Sequence, residues 1–119
     1  MGAFRDLPQA YWRYFDHIDR PTAGPLDGRA WRVRDDVRKY VRFGQFNLMN
    51  REPPFLGFHI VSCRNVLIYF DDSGRRHVYD LLHRALAPRG VAVFVPTEIP
   101  TPTMFDAEWG HAAVVYRKR

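Results

Sequence analysis

Between Phe58 and Val95 the chain shows two kinds of hydrophobic pattern in succession. Phe58-His59-Ile60-Val61-Ser62-Cys63 is a short, mostly apolar run that breaks at the polar pair Arg64-Asn65. Val66-Leu67-Ile68-Tyr69-Phe70 follows, with an acidic stop at Asp71-Asp72. Apolar residues then fall at Val78, Leu81, Leu82, Ala85 and Leu86, the i, i+3, i+4, i+7, i+8 spacing of a helix with one buried face. Asp72 or Ser73 is the expected cap of this helix, and Pro88-Arg89-Gly90 its expected end. Val91-Ala92-Val93-Phe94-Val95 reads as a second buried strand, closed by Pro96. Strand, crossover helix and all-apolar strand together predict a βαβ unit with parallel strands.

That topology has a positional consequence. In open parallel sheets ligands bind beyond the carboxyl ends of the strands. Arg64-Asn65 lies just past the first strand and Thr97-Glu98 just past the second, so both polar pairs are expected on one rim. The plainer alternative for Arg64-Asn65 is a solvated surface turn.

Elsewhere the patterning is weaker. Aromatic residues (Phe4, Tyr11, Trp12, Tyr14, Phe15) cluster around Leu7-Pro8, and a short helix from Pro8 to Phe15 is expected because proline tolerates a first turn. The stretch from Arg20 to Gly28 is a loop by its Pro and Gly content. Ala30-Trp31-Arg32-Val33-Arg34 alternates apolar and basic residues, as a half-exposed strand does. Asp35 to Tyr40 predicts a turn or short helix. Val41 to Phe46 predicts a strand made irregular by Gly44. Asn47, at its carboxyl end, reads on sequence alone as a turn residue. A proline-rich segment from Ile99 precedes a final strand, His111 to Arg117.

Bulk composition narrows the classes. At 119 residues, 46% hydrophobic and 15% aromatic, the chain can form a single small core. Its formal charge of +5 permits contact with nucleic acid or a membrane surface, yet the arginines are scattered and the one run is Arg117-Lys118-Arg119. No nucleic-acid partner is therefore expected. Cys63 is alone, which excludes a disulfide framework, and the five histidines show no metal-ligand spacing, so no metal is expected. No stretch approaches the ~20 apolar residues of a membrane span. The amino terminus has neither a signal peptide nor a myristoylation pattern, and a cytoplasmic location is expected.

Cys63-Arg64-Asn65-Val66-Leu67-Ile68-Tyr69-Phe70-Asp71 resembles the central motif of the CheR-type chemotaxis receptor methyltransferases. Leu7-Pro8 with Arg13-Tyr14-Phe15, Val41-Arg42-Phe43 with Phe46-Asn47-Leu48, Leu86 to Gly90, and Thr97-Glu98 are similar to further family segments in the same order. The resemblance implies transfer of a methyl group from S-adenosylmethionine to glutamate side chains, leaving S-adenosylhomocysteine. It implies an α/β fold: a partial Rossmann-like class I methyltransferase sheet, its later strands only, with a small antiparallel β-subdomain near the N-terminus. Residues 1–40 would hold the N-terminal helix and that subdomain, which in some members docks the receptor tail. Residues 41–119 would be the C-terminal half of the methyltransferase domain, its last two strands an antiparallel hairpin.

By the same resemblance, Arg64 and Tyr69 are the candidate catalytic residues. Arg64 would orient the acceptor carboxylate at the mouth of the site, and Tyr69, expected on the same helical turn as Asn65, would pack near the methyl group. Asn47, Leu48, Arg64 and Asn65 are the candidate cofactor-binding residues. The chain departs from the family in having Phe58-His59 for Phe-Asp and Val95-Pro96 where small residues are usual. Its glycines do not open a helix after a strand, so the phosphate-loop analogue of the family is absent from this sequence. The expected partner is the cytoplasmic region of a chemoreceptor. The expected state is a truncated enzyme inactive alone, or else a docking module derived from one. In the family's sheet order the strand ending at Cys63 pairs with a strand not found here, so its free edge is expected to recruit a second copy or a complementing chain.

Overall fold

The computed structural model describes residues 7–19, 29–96, 100, 104–110 and 114–119; the Thr97-Glu98 pair lies outside the described residues. Two compact units divide the chain, Met1–Gly44 and Gln45–Arg119.

In the first unit a 3-10 turn spans Gln9–Tyr14 directly after Pro8. The sequence predicted a short helix here. None of its six residues is buried, and without an apolar face to pack, the segment stays a tight turn. β1 (Phe15–Asp19) then pairs antiparallel with β2 (Arg29–Val33), Phe15 opposite Val33. Trp31 of β2 meets the His17 ring edge-on at 5.1 Å and the Trp12 ring at 6.3 Å. The single-turn helix α1 (Asp35–Arg38) follows, its Asp35 carboxylate receiving Arg32 at 2.8 Å and Arg38 at 3.5 Å.

The strand expected over Val41 to Phe46 does not form: residues 41–47 carry no regular structure. Phe43 is 97% exposed. A strand exists through a neighbour's hydrogen bonds, and no described strand pairs with this segment.

The second unit is a four-stranded sheet with one crossover helix. Its strands are β3 (Phe58–Ser62), β4 (Leu86–Val93), β5 (Phe105–Trp109) and β6 (Val114–Lys118), in the order β3-β4-β6-β5. β3 and β4 are parallel, joined through helix α2 (Asp72–Ala85), while β4–β6 and β5–β6 are antiparallel. The βαβ unit and the terminal hairpin are thus both present. The periodic face of α2 is the buried one, comprising Val78, Leu81, Leu82 and Ala85. Together with Cys63, Leu67, Leu86, Ala92, Phe94 and Phe105, this face makes the core. Phe94 is at its centre, edge-on to Tyr79 at 5.3 Å and to Phe105 at 6.2 Å.

Both ends of α2 differ from expectation. Asp71, not Asp72 or Ser73, is the cap: its backbone is extended and its carboxylate accepts from the Gly74 amide at 2.7 Å. Such a cap contributes about 1 kcal/mol. At the other end the helix stops at Ala85, because Leu86 is already extended and pairs with Phe58. Pro88-Arg89-Gly90 is therefore an irregularity within β4 and not the helix end. Leu86 stands opposite Phe58 and Val91 opposite Ile60, so Ala87 to Gly90 loop out of the ladder, with Arg89 in the left-handed region at φ 62°. Regular pairing then runs from Val91 to Val93; Phe94 and Val95 are buried beyond the strand's end.

The hairpin is laced by ions. Arg117 forks onto Glu108, Nη2 donating at 2.7 Å, and donates to the Arg89 carbonyl at 2.6 Å. These hydrogen bonds hold the Glu108 carboxyl below its ordinary 4.5; desolvation opposes them, and the charges of Arg117 and Arg89 assist. A depressed folded pKa gives stability that is present above the unfolded value and lost as pH falls through the folded one. Thermal stability is therefore expected to fall as pH drops below about 4.5. Glu108→Gln is expected to flatten that acid limb in a calorimetric pH series, and an unchanged limb would count against the pair.

Candidate functional site

The segment leaving the carboxyl end of β3 combines a buried anchor with exposed functional groups. Pairing with β4 extends one residue past the strand, the Cys63 amide donating to the Val93 carbonyl at 3.0 Å. The chain then turns at Asn65, whose φ of 61° is left-handed. Asparagine adopts that conformation more readily than most side-chain-bearing residues. Leu67, fully buried, opens the 3-10 turn Leu67–Tyr69, closed by the Tyr69 amide on the Val66 carbonyl at 3.2 Å.

With Cys63 and Leu67 held in the core, Arg64, Asn65 and Tyr69 face solvent, Tyr69 being 83% exposed. None of the three makes a side-chain hydrogen bond or ion pair with another described residue. The structure thus brings these three together on one short segment. It does not put Asn65 and Tyr69 on one helical turn, because Asn65 is left-handed and precedes the turn.

Asn47 and Leu48 sit on the loop before β3. The Asn47 side-chain oxygen accepts from the Met49 amide at 2.9 Å, and its carbonyl accepts from the Asn50 amide at 3.0 Å. This is the turn role that sequence alone favoured, and it leaves the Asn47 NH₂ as the outward-facing donor. Leu48 packs against the core. Two α2 residues that the sequence reading did not single out tie this loop down. His77 Nε2 donates to the Asn50 carbonyl at 2.8 Å, and Arg84 Nη1 donates to Glu52 at 2.9 Å while its Nη2 donates to the Arg51 carbonyl. They are seven residues apart, hence on one helix face, and that spacing was a usable signal.

A cavity of about 130 Å³ lies beneath the loop, lined by Phe46, Leu48, Pro54, Phe58, Val61 and Leu81 among others. Its lining is apolar and it is too small for a nucleoside. In the first unit a broader groove of about 630 Å³ is lined by Arg32, Val33, Asp35, Arg38, Lys39, Val41 and Phe43. It carries three cations against one carboxylate. Among the described residues no group of three or more His, Cys, Asp or Glu converges to hold a metal, and no helix is long and apolar enough to cross a membrane.

Comparison with known proteins gives a consistent result. The sequence profile described as CheR methyltransferase, SAM binding domain, matches residues 6–98. Chemotaxis protein methyltransferase 2 of Vibrio cholerae is 45% identical over 64 residues, covering 52% of this chain and 22% of the relative. Chemotaxis protein methyltransferase 1 of Pseudomonas aeruginosa is 37% identical over 83 residues, 70% of this chain and 27% of the relative. The Escherichia coli chemotaxis protein methyltransferase is 34% identical over 85 residues, 71% and 28%. The chain thus spans about a quarter of the length of these relatives.

Proposed function

The chain belongs to the CheR methyltransferase family, and from that premise we propose that it carries one wall of an S-adenosylmethionine-dependent protein-glutamate O-methyltransferase site. Its parallel β3–β4 pair with the crossover α2 would then be the later part of a Rossmann-like sheet, and β1–β2 the small antiparallel subdomain of residues 1–40. The substrates would be glutamate side chains of a chemoreceptor's cytoplasmic region, met in the cytoplasm. The observation that carries this reading is the exposed trio Arg64, Asn65 and Tyr69, held by buried Cys63 and Leu67 at the carboxyl end of a parallel strand.

The residues present suit one side of the cofactor. Asn65 offers an exposed amide, able to donate and accept, and Leu48 a half-buried aliphatic side chain. When bound, S-adenosylmethionine supplies a methyl group already activated on sulfonium. The protein's task is then positioning. A glutamate acceptor, with an ordinary pKa of about 4.3, is ionised at neutral pH and needs no general base. Arg64, unpaired among the described residues, would clamp that carboxylate bidentately through its guanidinium. Asn65 and the Asn47 NH₂ would hydrogen-bond the cofactor, Leu48 would lie against its adenosine, and Tyr69 would shield the reacting atoms from water. With the opposite wall absent among the described residues, the chain alone is expected to be inactive.

A calorimetric titration of the folded chain with S-adenosylhomocysteine tests this reading. Saturable binding supports a cofactor wall; no binding by a chain shown to be folded overturns it. Arg64→Ala provides the second readout. Arg64 is exposed and makes no side-chain pair among the described residues, so the change should cost less than about 0.5 kcal/mol of stability. In a mixture where the chain is complemented to activity, the same change should cut methyl transfer at least about tenfold. The groove in the first unit favours one other reading, a docking module for an acidic peptide. It would be indicated by peptide binding that Arg38→Ala weakens, with no binding of S-adenosylhomocysteine.

A further inference from the structure

The loop from Asn47 to Glu52 lies mostly outside the core. Asn47, Met49, Asn50, Arg51 and Glu52 are exposed, and Leu48 packs inward. Even Leu48 borders the cavity of about 130 Å³, so the apolar contact beneath the loop is incomplete. A close-packed site would fix the chain by volume alone; here there is room to shift. Polar contacts from α2 therefore have to set where the loop lies. Two successive carbonyls are held from that helix. His77 Nε2 donates to the Asn50 carbonyl at 2.8 Å, and Arg84 Nη2 donates to the Arg51 carbonyl while its Nη1 meets Glu52 at 2.9 Å. Arg84 is itself steadied by Asp80, one turn back, which accepts from its Nε at 3.0 Å. The two pins rise from points about 10.5 Å apart along the helix axis. Attachment at one point would leave the loop free to pivot; two points fix its orientation as well.

We infer that His77 and Arg84 are positioning residues for cofactor binding, holding from α2 the loop that presents Asn47 and Leu48. The inference rests on the reading of Asn47 and Leu48 as cofactor contacts. The path from pin to ligand is short. His77 holds the Asn50 carbonyl, the Asn50 amide donates to the Asn47 carbonyl at 3.0 Å, and the Met49 amide occupies the Asn47 side-chain oxygen at 2.9 Å. Backbone and side chain of Asn47 are thus oriented by one turn, and that turn is fixed to the helix. Arg84 adds what a lysine would not: a planar fork whose three nitrogens reach Asp80, Glu52 and the Arg51 carbonyl together. Both pins act through the loop, and a displacement of about 1 Å at a binding group is enough to cost tenfold or more in function.

Amide exchange and calorimetric titration with S-adenosylhomocysteine, both on the full chain, test the inference. His77→Ala should speed exchange at the Met49 and Asn50 amides by about tenfold, while the Cys63 amide, bonded to Val93 in the sheet, keeps its rate. The dissociation constant for S-adenosylhomocysteine should rise by about tenfold. His77→Gln keeps a side-chain N–H donor and should bring both readouts back to within about threefold of the parent. Arg84→Lys keeps the cation and loses the fork; it should weaken binding by at least about threefold, and it is the milder variant should an alanine change unfold the chain. Arg76→Ala removes another exposed α2 cation and should change neither readout. A folded parent chain that does not bind S-adenosylhomocysteine overturns the cofactor reading, and this inference falls with it. Binding by the parent that His77→Ala and Arg84→Lys leave unchanged overturns this inference alone. So does loop exchange that rises no more than exchange at Cys63.

Discussion

Leu67→Ala should destabilise the unit Gln45–Arg119 by about 2–5 kcal/mol, the usual cost of hollowing a core leucine site. Leu67 is fully buried among Cys63, Val78, Leu82 and Phe94, within a core provided by only one helix and one sheet. A small domain has roughly 5–15 kcal/mol in total, so a large share would disappear. The functional consequence is local as well. Leu67 and Cys63 are the two buried points between which Arg64 and Asn65 are suspended, and Tyr69 belongs to the turn that Leu67 opens. Urea unfolding of the variant should show a lower midpoint. Amide exchange should rise first at Tyr69 and Phe70, whose hydrogen bonds close on Val66 and Leu67. Ile68→Ala, one residue on and exposed, is the control and should stay within about 0.5 kcal/mol. Equal losses from the two changes would show that the anchor is not Leu67.

Gly90→Ala is the second large effect, expected at about 1–3 kcal/mol. A Cβ at this position would meet the Phe58 carbonyl oxygen at 2.9 Å and the Ala87 carbonyl oxygen at 3.0 Å. Both are backbone atoms of the β3–β4 junction, which cannot swing aside as a flexible side chain would. The irregularity that lets β4 rejoin the ladder at Val91 therefore requires glycine at its last residue. Relief has to come from parting the strands, which would weaken the Cys63–Val93 hydrogen bond and loosen the candidate site from below. The variant should melt lower, with faster exchange at the Cys63 amide. Gly44→Ala is the matching control: a Cβ there meets nothing within 4 Å, and the change should be neutral or slightly stabilising. A Gly90→Ala protein as stable as the parent would mean that the junction relaxes freely.

Much of the second unit was legible in the amino-acid order. Spacing at Val78, Leu81, Leu82 and Ala85 marked the buried face of α2, and the apolar runs on either side marked two parallel strands. The polar break after Cys63 marked where the chain leaves the sheet. These readings succeed because burial of a helix face or strand is written as a local period, 3.6 or 2, in consecutive residues. Tertiary structure decided the rest, since each remaining feature depends on a neighbour distant in sequence. Val41 to Phe46 has a strand's pattern but no described strand to pair with, and it stays irregular. Asp71 caps α2 in place of its equally suitable neighbours because its own backbone is extended where the helix begins. Leu86 ends the helix because Phe58, nearly thirty residues earlier, takes it into a ladder. Asn47 keeps only its NH₂ outward because Met49 occupies its oxygen. Ile60, apolar like a central residue, is exposed because among the described residues β4 alone pairs with its strand, and pairing, unlike hydrophobic pattern, is not written locally.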